Sequence, residues 1–283
     1  MILGLMAQTS VHAGASNSEA AVDLPIQREG HTDWPVIVGS GVKGAMRGAA
    51  EISSLEDIDL LFGPDTKSAD EHAGSLLISD ARLVLLPVRS LTSHVKWVTC
   101  PALFKRLRND MTRMGFELQG LSDYSMLNDD TVLSVQGISE LYLEEFRFNG
   151  KEQPLSSELA MLEIITHQSF IEDCKQNMVI VSNDQFRFLC RNAIPVQTHI
   201  AIDSESRTVI NGALWYEESL PAETLMYSCI SCATGRNKNK HKDGKTLLSS
   251  FKQFLDNQQY LQVGGNVSTG MGWFETKTVE ATS

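Results

Sequence analysis

No stretch of this chain stays apolar for the roughly 18 residues that a membrane-spanning helix needs. Residues 1–8 are apolar but carry no basic leader and no cleavage motif. They read as a buried strand, and the expected location is the cytoplasm. Cysteine is sparse. The five thiols (Cys100, Cys174, Cys190, Cys229 and Cys232) are odd in number and scattered, which suits reduced side chains and not a disulfide framework. Cys229 and Cys232 form one C-x-x-C, but they sit in a run that reads as a strand, where residues three apart face opposite sides. With no second pair and no histidine at zinc spacing, a metal or redox role is not favoured there. Two nucleotide fingerprints are missing as well. Lys43 is followed by Gly44 and Ala45 where a P-loop has Lys then Ser or Thr, and residues 264–272 do not fit G-x-G-x-x-G. Positive charge is short: 24 Lys and Arg face 35 Asp and Glu, a net charge of −11. That counts against general nucleic-acid binding, which needs cations to neutralise phosphates.

What is present is patterned. Residues 51–80 hold eight acids against the single base Lys67, whereas residues 82–113 hold seven bases against the single acid Asp110. Opposed acidic and basic faces suit self-association into a stack with RNA along one groove; ordinary solvated surface is the other reading. With 283 residues and 42% hydrophobic content, the chain can bury a sizeable core as one elaborated domain or two small ones.

The first strand is expected at residues 2–7 and a long functional loop at 9–34. A short apolar segment at 35–38 follows, and then a helix over 42–52 with Ser40 as its N-cap. A break at Gly63-Pro64 comes next, with strands at 75–77 and 81–87 and a helix over 100–115. Short strands are expected at 132–135 and 141–146, and helical pieces at 156–167 and 170–181. Residues 193–202 and 209–216 read as hairpin arms around a polar tip, 203–207. A strand at 225–232, a basic loop at 234–245, a helix at 247–258 and a glycine-rich loop into a last strand complete an α+β pattern.

Three places carry candidate chemistry. Lys43 and Arg47 are four apart on one helix face just after Gly39-Ser40-Gly41, where free N–H groups and the helix dipole favour a phosphodiester. The same spacing also suits two ordinary exposed cations. The loop 264–272 lets backbone approach RNA closely and offers the hydroxyls of Ser268 and Thr269, or it is a plain structural loop. Asp23 lies in a loop near Arg28, Glu29, His31 and Asp33, with His12 upstream. RNA scission by a neighbouring 2′-hydroxyl needs proton removal and charge relief on phosphate, which a carboxylate supplies as a base or as an ion holder. His12 suits shared proton transfer. On spacing alone a turn-forming or capping role for Asp23 is the favoured reading.

The order Gly4-Leu5, Thr9, His12, Gly14, then Val22-Asp23-Leu24-Pro25-Ile26-Gln27-Arg28-Glu29 with His31, Pro35-Val36-Ile37, Gly39-Ser40 and Lys43-Gly44 with Arg47 resembles the amino-terminal signature of the RAMP superfamily. Within that superfamily it is similar to the repeated backbone subunits of type III-B (Cmr) CRISPR RNA-targeting complexes. Phe62-Gly63-Pro64, Leu86-Pro87-Val88-Arg89-Ser90, Gly212-Ala213-Leu214-Trp215 with Glu217-Glu218, and Gly264-Gly265 with Thr269-Gly270 and Gly272 extend the likeness over nearly the whole chain.

The resemblance implies a single RAMP domain over 1–283: a modified RRM-like (ferredoxin-like) palm, inserted fingers and a β-hairpin thumb, the thumb candidate being 193–216. It implies copies stacked in a helical filament on guide CRISPR RNA beside other Cmr-type subunits. Single-stranded target RNA would be cut at regular intervals with a divalent ion, Mg2+. Asp23 would be the cleavage residue and ion holder, with His12 a helper. Lys43 and Arg47 would hold guide phosphates, and the loop with Gly265, Ser268, Thr269 and Gly270 would lie on the same backbone. Glu217 or Glu218 would support the site from a neighbouring strand. Ala13 stands where the family commonly has proline, and Ser219 where an aromatic is frequent, which weakens a helper role near Glu217. A non-catalytic guide-binding scaffold, and a stand-alone nuclease for guide precursors, are the alternatives.

Overall fold

The computed structural model describes residues 1–15, 21–64, 72–237 and 241–281. Asp65, Lys67, Asp70 and Glu71 of the acidic run, and Lys238 and Lys240 of the basic loop, lie outside the described residues. The described elements are, in order, β1 (Ile2–Ala7), β2 (Val36–Ile37), α1 (Gly39–Ile52), α2 (Ile58–Phe62), β3 (Leu76–Ile78), β4 (Ala81–Ser90), β5 (His94–Thr99) and α3 (Pro101–Arg113). There follow β6 (Thr131–Ser134), β7 (Glu140–Leu143), β8 (Phe146–Glu152), α4 (Ser156–Ile165), α5 (Gln168–Asn177), β9 (Met178–Ile180) and α6 (Asn183–Asn192). Last come β10 (Val196–Ile202), β11 (Val209–Glu218), β12 (Leu225–Cys232), α7 (Gly244–Asn257), β13 (Tyr260–Gln262) and β14 (Trp273–Val279). The fold is α+β, as the pattern of elements predicts.

Burial of β1 on both faces sets the layering. Leu3, Leu5 and Ala7 join one apolar core and Ile2 and Met6 another, because alternate side chains of a strand point to opposite sides. Such a strand needs helices above and below. Val42, Met46 and Ala50 of α1 and Phe251 and Leu255 of α7 cover the first face. Phe104, Leu107 and Met111 of α3, with Met161, Leu162 and Ile165 of α4, cover the second. Gly4 faces α4, where a Cβ would stand 1.9 Å from the Ile165 carbonyl oxygen, so only glycine permits the approach.

The central strands run in the order β14-β1-β12-β4, all neighbours antiparallel, with α1 connecting β1 toward β4 and α7 connecting β12 toward β14. From β4 the sheet continues through β5, β9, β6, β8 and β7, and β7 meets β4 again at Ser90 and Leu143, closing a six-stranded ring. Leu86, Val88, Val98, Val132, Leu141, Phe148 and Val179 of these strands share one buried cluster. The β10–β11 hairpin stands apart as its own two-stranded sheet. None of the helices among the described residues is long and apolar enough to cross a membrane.

Several sequence expectations shift. Ser40 is not the N-cap of α1: Val38 occupies that position, and Asp80 Oδ1 accepts the Gly39 N–H at 2.7 Å. The helical piece expected over 170–181 ends at Asn177, because Met178–Ile180 pairs in parallel with Trp97–Thr99. The strand expected over 141–146 is broken by Glu144 at φ 52, which turns β7 into β8. The helix α6 is absent from the sequence expectations, although Ser182 and Gln185 form the start of a capping box, with Ser182 Oγ accepting the Gln185 N–H at 3.2 Å.

Candidate active site

Residues 23–29 of the long loop before α1 are fixed by their own polar side chains. Asp23 is exposed, and its Oδ2 accepts the Tyr216 N–H at 2.8 Å. Leu24 N–H donates to Tyr216 O and Glu218 N–H donates to Leu24 O, both at 3.0 Å, so this segment runs beside the end of β11. Ile26 is buried, and its N–H donates to Glu218 Oε2 at 3.1 Å. Gln27 bridges the loop to α1, donating to Gly14 O at 2.9 Å and accepting from Val38 N–H at 2.8 Å. Arg28 donates to the carbonyls of Asp33 and Cys190 at 2.9 Å each and pairs with the Glu218 carboxylate. Glu29 takes Arg106 in a two-pronged pair at 2.5 and 3.0 Å, with the guanidinium 5.1 Å from the Trp34 ring centre. Three successive polar residues thus fasten the loop. Asp23 is the acid of the run left at the surface.

His12 sits on the same stretch of β11. It is only 9% exposed; its Nδ1 donates to Glu218 O at 2.7 Å and lies 3.9 Å from Glu217 Oε1. Its carbonyl accepts the Gly265 N–H at 2.9 Å, and Gly14 leaves room for its Nε2, which a Cβ there would approach to 2.7 Å. These contacts make His12 a strut that joins loop, strand and glycine-rich segment. Glu217 is buried and accepts from Asn266 Nδ2 at 2.5 Å. Asn266 and Gly270, at φ 60 and 81, bracket a single 3₁₀ turn over Val267–Thr269. Gly265, Ser268, Thr269 and Gly270 are all exposed on this turn, and Thr269 Oγ1 donates to Asn266 O at 2.9 Å. Gly264, at φ 98, passes so near His12 O that a Cβ would lie 2.5 Å from it.

The predicted residues therefore form two groups. Asp23, His12 and the glycine-rich turn converge on residues 216–218. Lys43 and Arg47 share a face of α1, as their spacing predicts, and serve other contacts. Arg47 donates to the carbonyls of Gly63 and Pro64 at 3.1 and 3.3 Å and to Glu51 at 2.8 Å, which secures the turn after α2. Lys43 reaches Leu76 O at 3.4 Å beside a cleft of about 650 Å³ lined also by Gly39, Ser40 and Asp80. Burial, then the nearby Arg47 charge, lowers the Lys43 pKa. Much of the basic run 82–113 is engaged internally: Arg82, Arg89, Arg106 and Arg113 each pair with a carboxylate.

Asn266 and the Arg28–Glu218 pair escaped sequence reasoning, since each joins segments far apart in the chain and leaves no local signal. Among the described residues no three His, Cys, Asp or Glu side chains are grouped to hold a metal ion. Asp23 offers one carboxylate with Oδ1 unengaged there, a donor set that suits Mg2+ only when phosphate oxygens and water complete its shell. Cys229 and Cys232 pack toward opposite cores, and burial pushes the Cys232 thiol up to about 11.

A family profile described as the RAMP superfamily matches residues 5–275. The protein named CRISPR system Cmr endoribonuclease Cmr4 of Pyrococcus furiosus is 31% identical over 293 residues, spanning 100% of this chain and 96% of that one. A CMR subunit Cmr4 of Saccharolobus solfataricus is 23% identical, spanning 96% and 94%. The crystal structure of oligomeric Cmr4 from P. furiosus superposes with a TM-score of 0.75 at 27% identity, covering 100% of this chain and 98% of that one. A type III-B Cmr-beta structure bound to cognate target RNA shares the fold, with a TM-score of 0.75 at 21% identity over 98% and 95% of the two chains. The chain belongs to the RAMP superfamily and is a homologue of Cmr4.

Proposed function

We propose that this chain is a backbone subunit of a type III-B CRISPR effector, stacking with copies of itself and other Cmr-type subunits along guide RNA. We further propose that it cuts complementary target RNA. The full-length likeness to a protein named a Cmr endoribonuclease supports the first part. One observation carries the second: the run around Asp23 is tied down on all sides, and the Asp23 carboxylate is delivered to the Tyr216 N–H where β11 leaves the hairpin. In this reading β14-β1-β12-β4 with α1 and α7 form the RRM-like palm, whose order and split β–α–β connections they match. The rest of the closed ring, from β5 to β9, belongs to the inserted fingers, and the β10–β11 hairpin is the thumb.

Scission by a neighbouring 2′-hydroxyl requires its deprotonation, relief of charge on the phosphate and an in-line approach. A bound divalent ion, taken to be Mg2+, would supply the charge relief, held by Asp23 and by phosphate oxygens. Asp23 then orients the scissile group, and the hairpin beside it unstacks the strand so that attacking and leaving oxygens can align. His12 contributes through position, holding Gly265 to Glu218, the residue whose N–H also meets Leu24 O. Lys43, Arg47 and the turn bearing Gly265, Ser268, Thr269 and Gly270 lie along guide phosphates, with Lys43 the less committed cation.

The test is cleavage of labelled, guide-complementary RNA by the reconstituted complex with magnesium. A ladder of regular spacing is expected. Tight target binding without a ladder would leave a guide-binding scaffold, and cutting of repeat RNA by the isolated chain would indicate a precursor-processing nuclease instead.

A further inference from the structure

The end of α1 presents an isoleucine to solvent. Ile52 is 88% exposed, although Val42, Met46 and Ala50 of the same helix are buried. Exposed Glu51, Glu56 and Asp59 flank it along the chain. Glu51 and Asp57 are already paired, with Arg47 and Lys242, whereas Glu56 and Asp59 enter no ion pair among the described residues. An apolar centre with a charged surround is the anatomy of a protein contact, and its acids repel RNA.

The opposite side of the sheet carries the complement. A cavity of about 580 Å³ along α3 is lined by Arg82, Lys105, Arg106, Arg108 and Arg113, with Asp110 the acid among them. Arg82 and Arg113 pair with Asp110, and Arg106 pairs with Glu29. Lys105 and Arg108 enter no ion pair among the described residues; Arg108 donates to Gln119 O at 3.0 Å. Ala102 and the methylene stems of the cations give the cavity apolar walls. Because α1 and α3 cover opposite faces of β1, the acidic knob of one copy meets the basic cavity of another head to tail. A contact of that kind repeats along a line instead of closing into a dimer.

We propose that Ile52, with Glu56 and Asp59, seats in the α3 cavity of the next copy, where the two acids pair with Lys105 and Arg108, and that this contact propagates the stack. A net charge of −11 makes copies repel one another, so a stack needs opposite signs set together where they touch. The knob and the cavity supply those signs on opposite faces. Phosphate would also suit the α3 cations, but it would leave Ile52 uncovered. This inference rests on the stacking reading above and names the surface through which copies meet.

The experiment counts neighbouring copies of the full chain on guide RNA by native mass spectrometry, at low salt and with guide in excess. Variants are first matched to the unsubstituted chain in melting temperature. The unsubstituted chain should form contiguous runs that shorten as salt rises. Glu56→Lys with Asp59→Lys sets like charges together in every contact, and so does Lys105→Glu with Arg108→Glu. Either double variant alone should lower the affinity between neighbours at least about tenfold. An equimolar mixture of the two should restore runs in which the variants alternate, since each reversed patch then faces its complement. Normal runs from either variant alone, or no restoration on mixing, overturn the contact and leave the stacking reading standing. Loss of guide RNA by the α3 variant that mixing does not recover assigns the cavity to phosphate and also overturns the contact. Absence of runs from the unsubstituted chain overturns both.

Discussion

The fastened run at residues 22–29 and the β10–β11 hairpin flank the same end of β11 and invert the usual distribution of side chains. In the run, polar residues turn inward. Gln27, Arg28 and Glu29 each reach a different segment, and Glu218 meets both Arg28 and the Ile26 N–H inside the protein. In the hairpin, apolar residues turn outward: Ile200, Ile202, Val209, Ile210 and Leu214 are all exposed. Rigid polar fastening is what a reacting carboxylate needs, since a small misplacement costs much of its effect. Several exposed large apolar side chains on one hairpin suit a binding surface, and in the reading proposed above that surface meets RNA. In that reading, one region holds position and the other makes contact.

The contrast is broken most severely at the Arg28–Glu218 pair. Arg28→Ala leaves a buried carboxylate without its cation, expected to cost about 3 kcal/mol and to lower the melting temperature of the chain by about 6–10 °C. A shift within 1 °C would mean that the run is not held by this pair. Next, Gly264→Ala forces a side chain onto a left-handed backbone against His12 O, with an expected loss of about 2 kcal/mol. Chemical denaturation measures it, and an unchanged midpoint would show that the glycine-rich segment does not need this approach. The hairpin should respond in the opposite sense. Leu214→Ser, at a position 52% exposed, should change stability by no more than about 0.5 kcal/mol. Target affinity of the assembled complex should nonetheless fall severalfold. Loss of stability with unchanged affinity would reverse the roles assigned to the two regions.

The smallest effect belongs to Asp33, whose carboxyl is held below its ordinary value of 3.8, first by the Arg187 hydrogen bond and then by Arg191. A depressed carboxyl stabilises the fold above its unfolded value and loses that contribution as pH falls through the folded one. Asp33→Asn should therefore lower the melting temperature slightly at neutral pH, where the ion pairs contribute, and the difference from the unsubstituted chain should vanish as pH falls below about 4.

The two regions also differ in how far the sequence disclosed them. The hairpin was legible because alternation and a polar tip are local signals, and the same holds for β1, β12, α3 and α7. The run at 22–29 was legible as a signature, but the structural work of its polar residues was not. Arg28 meets Glu218 and Glu29 meets Arg106 across separations that periodicity cannot register. The strand Met178–Ile180 was hidden for a related reason, since three residues following a helix become a strand only through pairing with Trp97–Thr99. By contrast α6 carries a local start signal in Ser182 and Gln185.

The most direct measurement is single-turnover cleavage of saturating target RNA by complexes carrying Asp23→Asn, checked beforehand for guide content, target affinity and melting temperature. The expected result is a cutting rate lower by at least about 100-fold with all three checks unchanged, because the substitution keeps the shape and the Tyr216 contact while removing the charge. A ladder of undiminished rate would contradict the central claim and move the chemistry away from the fastened run.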